Sequence, residues 1–129
     1  MDVLRLVARV NDLSDESDTT ENIIEYLNDA ISDINVRLKA NFPYLDTDFS
    51  REPAFPEKWQ RLLLIPFACG RVKQKDGSQF EYSDYFSQYE EKVTEMAASY
   101  DVPTMYKDDM NDSYSSDIFT KPPYWGGNW

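Results

Sequence analysis

Few residues in this sequence are of the types that carry out chemistry. The chain contains no histidine, and its single cysteine, Cys69, closes an apolar run that begins at Leu62. Histidine is the commonest general base and metal ligand, and a cysteine nucleophile needs a neighbouring base to activate it. The four glycines do not form a glycine-rich phosphate-binding loop. We therefore expect a protein that is not an enzyme and that uses no cofactor.

Two acidic groups are the remaining candidates for a metal or catalytic site. Asp108, Asp109 and Asp112 lie in a stretch that lacks the ligand spacing and the turn glycine of a calcium-binding loop. Asp46 and Asp48 lie in a proline-containing connection, where aspartate commonly forms caps and turns. We interpret both groups as solvated or turn-forming carboxylates, and we expect no metal site.

The charge balance restricts the partners of the protein. The 129 residues include 24 acidic and 13 basic side chains, a net charge of −11 at pH 7, which disfavours binding to nucleic acid phosphates or to an anionic membrane. No apolar run approaches the roughly 20 residues that span a bilayer, and no signal peptide pattern is present. A lone cysteine fits a reducing compartment. We expect one soluble domain in the cytoplasm, with no membrane partner.

The hydrophobic spacing predicts an all-α fold with three main helices. The central helix starts near Pro56 and is apolar on nearly all sides, and Pro66 predicts a kink or break in it near Leu62 to Pro66. Helices from Thr19 to about Ala40 and from about Ser78 to Ser99 each carry an apolar stripe that should face the central helix. The stripes are Ile24, Leu27, Ile31, Ile34 and Leu38 in the first and Tyr82, Phe86, Tyr89, Val93, Met96 and Tyr100 in the second.

The segments before and between these helices are predicted to form a short helix, a loop and an ordered connection. Met1 to Val10 predicts a short amphipathic N-terminal helix with Arg5 and Arg9 on its polar side. Asn11 to Thr20 reads as a polar loop, in which Asp18 and Glu21 resemble a capping box for the next helix. The proline- and aromatic-containing segment from residue 41 to residue 55 should be an ordered connection.

Residues 104–129 have a different character from the helical domain predicted for residues 1–103. The segment has no helical periodicity, yet it ends in KPPYWGGNW. It is either a disordered tail or an extended arm that orders when its aromatic side chains dock on another protein, and we favour the arm because disordered tails are usually poor in aromatics. The expected partner-binding residues are Tyr114, Phe119, Tyr124, Trp125 and Trp129 in the arm, with Leu4 and Val7 near the N-terminus.

Charged side chains on the helices are the expected contacts between copies of the chain. Arg61, Arg71 and Lys73 on the central helix would pair with Glu90, Glu91 and Glu95 of a neighbouring copy. The simpler interpretation is that these charges are only solvated, as most exposed charges are.

Four segments together resemble a known family. DVLRLVARV, ENIIEYLNDAISDINVRL, KWQRLLLIPFACGRV and FEYSDYFSQYEEKV, with an acidic loop and a proline-rich connection between them, are similar in arrangement to the small head–tail connector proteins of tailed bacteriophages, also called head completion or adaptor proteins. The resemblance covers Met1 to about Tyr100 and is one of pattern. It implies a small helical bundle without enzymatic activity and with an arm or tail that reaches a partner.

The resemblance also implies the assembly. Neighbouring copies would form a ring, with twelve as the expected number, below the portal protein. The ring would extend the channel through which DNA passes without sequence-specific binding, and would dock the next neck or tail protein. The expected location is the neck of the virion, and the host cytoplasm during assembly.

Two other classes of function remain open from the residues. An acidic protein can mimic DNA and block a nucleic-acid-binding enzyme, which the net charge of −11 permits. A helical interaction subunit of a cellular complex is equally compatible with the helix pattern. The mimic gives no reason for the aromatic arm.

Overall fold

The computed structural model describes residues 1–46 and 52–108, and these residues are mostly helical, as an all-α fold requires. Helix α1 is Val3–Ser14, α2 is Thr20–Leu38 and α4 is Gln79–Ser99. Between α2 and α4, residues 57–76 form α3 from three consecutive stretches, Glu57–Trp59, Gln60–Leu64 and Ile65–Asp76. A short 3₁₀ turn, Thr104–Tyr106, follows α4. The described residues contain no β-strand beyond one isolated bridge between Ala40 and Lys107.

Helix α3 lies at the centre, because α1, α2 and α4 all pack against it. Its middle stretch is π-helical, and the N–H of Ile65 donates to the carbonyl of Gln60, five residues earlier. Pro66 lacks the N–H that an α-helix would direct to the carbonyl of Leu62, and a wider turn just before the proline accommodates that loss. The irregularity expected near Leu62 to Pro66 is therefore present as a π-helical segment, and it starts earlier, at Gln60.

The predicted apolar stripes supply part of the core, and α1, α3 and the connections supply the rest. In α2 the buried residues include Leu27, Ile31 and Ile34, as expected, but Ile23 is fully buried while Ile24 and Leu38 are only partly so. The stripe is displaced because α2 contacts α1 as well as α3. The buried residues of α4 are Tyr89, Val93 and Met96, with Tyr82, Phe86 and Tyr100 intermediate in exposure.

Helix α1 extends one turn beyond the predicted end at Val10. The hydroxyl of Ser14 donates to the carbonyl of Val10 at 2.7 Å, and Asp15 ends the helix in the left-handed conformation with φ of 56°. Residues 11–14, predicted to lie in the loop, thus continue the helix, and Ser14 is buried on the same face as Leu6 and Val10.

The residue that caps α2 is Thr19, which corrects the predicted capping box. The Thr19 hydroxyl oxygen accepts the N–H of Asn22 at 3.2 Å. The Asp18 carboxylate instead accepts the N–H of Thr19 at 2.8 Å and the side-chain amide of Asn22 at 2.9 Å. Asp18 therefore supports the cap from the position before it.

Two asparagines hold the connection after α2 along that helix. Asn35 donates to the carbonyl of Phe42 at 3.1 Å and accepts its N–H at 2.9 Å, and Asn28 forms the same pair of bonds with Leu45 at 3.1 and 2.8 Å. The two asparagines are seven residues apart and so lie on one face of α2. Because both amides replace backbone partners, Phe42 and Leu45 can be buried without a regular element.

The start of the predicted arm packs against the helical domain. The carbonyl of Tyr106 accepts the N–H of Asn41 at 2.7 Å, and the N–H of Asp108 donates to the carbonyl of Lys39 at 3.1 Å. The rings of Tyr106 and Phe42 are 5.1 Å apart. Residues from Thr104 to Asp108, which follow the boundary predicted at residue 103, are therefore in contact with the helical region. Among the described residues, no helix is long and apolar enough to cross a bilayer.

Candidate functional site

Cys69 and groups of metal-ligating side chains are the first candidates for a chemical site. Cys69 is fully buried, and its thiol lies 3.7 Å from the carbonyl of Val10. Burial raises the pKa of the Cys69 thiol to about 12, so the thiolate that a nucleophile or metal ligand requires is disfavoured. No cluster of three metal-ligating side chains occurs within residues 1–46 and 52–108. Contact surfaces are thus the candidate sites.

The residues predicted to bind partners fall into two groups. The five aromatic residues of the arm, Tyr114, Phe119, Tyr124, Trp125 and Trp129, lie outside the described residues. At the N-terminal helix, Leu4 is 50% exposed, which leaves it accessible to a partner. Val7 is buried in the core at 6% exposure, which corrects the expectation that it offers a contact surface. One helical turn places Val7 beside Val3 and Val10 on the inner face of α1.

The three cations predicted to contact a neighbouring copy are paired within their own chain. Arg61 lies 3.2 Å from Glu57, one turn earlier on α3. Arg71 lies 3.2 Å from Asp29 of α2, and its guanidinium carbon is 4.9 Å from the centre of the Phe67 ring. Arg61 is thus paired within α3 and Arg71 is paired with α2. Neither arginine requires an acidic partner from another copy.

Lys73 connects three parts of the fold. Its ammonium lies 3.2 Å from Glu16, in the loop after α1, and 3.3 Å from Glu81 of α4, and its side chain is only 8% exposed. Burial alone would lower the pKa of Lys73, but the hydrogen bonds from Glu16 and Glu81 outweigh it and raise that pKa. Lys73 is therefore an internal tie and is inaccessible to a neighbouring copy, which corrects its prediction as an inter-subunit residue.

The three predicted carboxylates on α4 differ in how strongly they are paired. Glu90 lies 2.6 Å from Arg37 of α2. Glu95 lies 3.0 Å from Lys92, and Glu91, which is 72% exposed, lies 3.9 Å from the same lysine. Glu91 and Glu95 thus share one cation and remain on the surface, whereas Glu90 belongs to a contact between helices.

That contact lies in a groove between α2, α3 and α4 with a volume of about 280 Å³. The Tyr89 hydroxyl donates to Asp33 at 2.6 Å, and Arg37 lies 3.0 Å from the same carboxylate. Burial and the bond to Asp33 raise the pKa of Tyr89, and the bond to Glu90 is the main cause that raises the pKa of Arg37. Each charge in this network has a partner in the chain, so we interpret the groove as a structural junction.

Two arginines on the polar side of α1 are candidate contact residues that the sequence analysis did not include among the expected contacts. Arg5 and Arg9 are exposed, and neither forms an ion pair with any residue that the structure describes. The sequence itself indicates that Arg5 and Arg9 lie side by side, because residues four apart lie on one face of a helix. What the sequence could not show was that Arg61, Arg71 and Lys73 of α3 already have acidic partners within the chain.

Comparison of the chain with models of protein families, with curated proteins and with solved structures gives no match.

Proposed function

We propose that the protein is a structural component of a tailed-phage virion, a head–tail connector that forms a ring below the portal protein and docks the next neck or tail component. In this proposal the helices form a small bundle that serves as the body of each subunit, and the residues after Asp108 serve as an arm that grips a partner. The role is one of binding and involves no catalysed reaction. The resemblance of residues 1–100 to the connector family supports it.

The observation that carries the proposal is the distribution of charge. Four of the five cations of α3, namely Arg61, Arg71, Lys73 and Lys75, are paired within the chain, so the excess of carboxylates is left on the outer faces of α2 and α4. Glu21 and Glu25 of α2 are exposed and form no ion pair among the described residues, and Asp84 and Glu91 of α4 are also exposed. Such a surface repels phosphate, which suits a conduit through which DNA must slide.

The same charge distribution supports the second candidate, an acidic mimic of DNA that blocks a nucleic-acid-binding enzyme. The two candidates differ in what they require of the aromatic residues from Tyr114 to Trp129. A connector uses them to anchor on a large protein partner, whereas a mimic binds through its carboxylates and needs no such anchor.

A binding experiment with the portal protein of the same virion tests the proposal. The full chain should co-sediment with portal rings, and a chain that ends at Pro123 should lose this binding while its helix content by circular dichroism is unchanged. A truncated chain that still binds fully would contradict the role of the arm. A full chain that does not bind the portal but displaces DNA from a basic enzyme would support the DNA-mimic function instead.

A further inference from the structure

Helix α1 carries an exposed basic strip in a protein of net charge −11, and we call Leu4, Arg5, Ala8 and Arg9 the α1 strip. Val3, Leu6 and Val10 face the core, which turns the strip outward. Arg5 and Arg9 lie one turn apart and form no ion pair within the described residues. The strip thus combines two available cations with Leu4, half of whose surface is exposed.

Helix α4 carries an exposed strip of the opposite charge. It buries only a narrow face, so the opposite side of its 21 residues is solvated. At 100° per residue that side contains exposed carboxylates with small residues between them, and together they form the α4 strip. The α4 strip consists of Asp84, Ser87, Glu91, Glu95 and Ala98.

Lys92 is the one cation within 4 Å of the strip's carboxylates in the described chain, and Glu91 and Glu95 share it. Asp84 accepts only a hydrogen bond, from the side-chain amide of Gln88 at 3.0 Å. The α4 strip therefore keeps a surplus of negative charge, and Ser87 and Ala98 allow another helix to approach closely. This surface is complementary to the α1 strip in charge and in the size of its side chains.

We infer that the α1 strip of one copy packs along the α4 strip of the next copy. Arg5 and Arg9 are four residues apart, as are Glu91 and Glu95, and four residues rise about 6 Å along a helix. Two ion pairs can therefore form in register between the helices. The occupant of both strips is a second copy of this chain, so the inference deepens the proposed function by naming the faces that build the ring, and it rests on that proposal.

The two strips lie on different helices. Both α1 and α4 pack chiefly against α3 rather than against each other. One copy can therefore contact one neighbour through α1 and another through α4. Such a heterologous contact produces a closed ring when the rotation between copies divides a full turn evenly.

Charge reversal tests the inference. Sedimentation velocity should show self-association of the full chain that weakens as NaCl increases, because the pairs at the rim of the contact are screened. The double variant Arg5→Glu with Arg9→Glu, and separately Glu91→Lys with Glu95→Lys, should each raise the dissociation constant by about tenfold or more. A mixture of the two double variants should recover association, since each then presents a strip complementary to the other.

The matched control is Glu21→Lys with Glu25→Lys, which reverses two exposed carboxylates one turn apart on α2 and should leave association unchanged. If a reversal variant lowers the melting temperature, the neutral pair Arg5→Gln with Arg9→Gln replaces it and should weaken association in the same direction. A wild-type chain that stays monomeric up to about 1 mM, an unaffected reversal variant, or a mixture that fails to associate would overturn the inference. If the free chain is monomeric but several copies still bind the portal, the inference is overturned while the proposed function stands.

Discussion

Gly70 of α3 lies directly beneath the ring of Phe86 of α4, so closely that a Cβ atom added to Gly70 would stand 2.7 Å from Cε1 of that ring. The Phe86 ring is itself packed at 5.7 Å from Phe67 and 6.0 Å from Tyr82, measured between centroids. The absence of a side chain at Gly70 therefore sets the separation of α3 and α4, the most extensive helix contact in the described fold.

We predict that Gly70→Ala lowers the free energy of unfolding by up to about 2 kcal/mol, because the overpacking that forces the Phe86 ring away costs about 1–3 kcal/mol and the gain of about 1 kcal/mol in helix propensity offsets only part of it. Urea denaturation measures the change. In a Phe86→Ala background the same substitution should be neutral or stabilising. An equal loss in both backgrounds would show that contact with the ring is not the cause.

We predict that Asn35→Leu destabilises the fold by about 1–3 kcal/mol, since the N–H and carbonyl of Phe42 lose their only partners in this contact and stay partly buried. Hydrogen exchange of the Phe42 amide should accelerate, while the Leu45 amide, which Asn28 holds, keeps most of its protection. An unchanged exchange rate of the Phe42 amide would contradict the role of Asn35 in holding Phe42.

The sequence predicts those parts of the fold that follow from periodic burial. The stripes through Leu27 and Val93 were recognisable because helical spacing alone places them on one face. The hydrogen bonds from Asn28 and Asn35 to the connection after α2 were not recognisable, because these side chains meet their partners only when the connection folds back along α2. Their seven-residue spacing carries no signal that distinguishes them from solvated polar residues.

The candidate contact residues were less predictable for a related reason. Charge at a position shows only that a side chain needs a partner or water, and the pairing depends on which helices meet. The sequence therefore does not show that Glu16 and Glu81 of the same chain pair with Lys73, or that Arg9 has no ion pair among the described residues.

We predict that Lys73→Met lowers the urea midpoint at pH 7 by more than Lys75→Met, because Lys73 loses two carboxylate partners while Lys75 is 57% exposed and pairs with Asp18. The pKa of Lys73 is raised above its ordinary value of 10.5, so its stabilising effect is complete below that pH and is lost as the pH rises through the folded-state pKa. The difference between wild type and Lys73→Met should therefore shrink above about pH 10.5. A difference that grows with pH would contradict this tie.

We predict that Tyr89→Phe costs about 1.5–3 kcal/mol of stability, the usual range for a hydrogen bond to a charged group, because the 2.6 Å bond to Asp33 is lost. Tyr85→Phe is the matched control, since its hydroxyl donates to the neutral carbonyl of Leu13 at 3.0 Å, and it should cost about 0.5–1.5 kcal/mol. Thermal denaturation compares the two. A larger loss at Tyr85 would reverse our ranking of the two contacts.

The most direct measurement of the central claim is the number of copies of the full chain bound to one purified portal ring, determined by mass photometry of the mixture. Our account predicts a single complex with a fixed number of copies arranged as a ring, twelve by the family resemblance, and no complex of intermediate composition at saturation. A portal ring whose mass does not change, or one that gains a single copy, would contradict it.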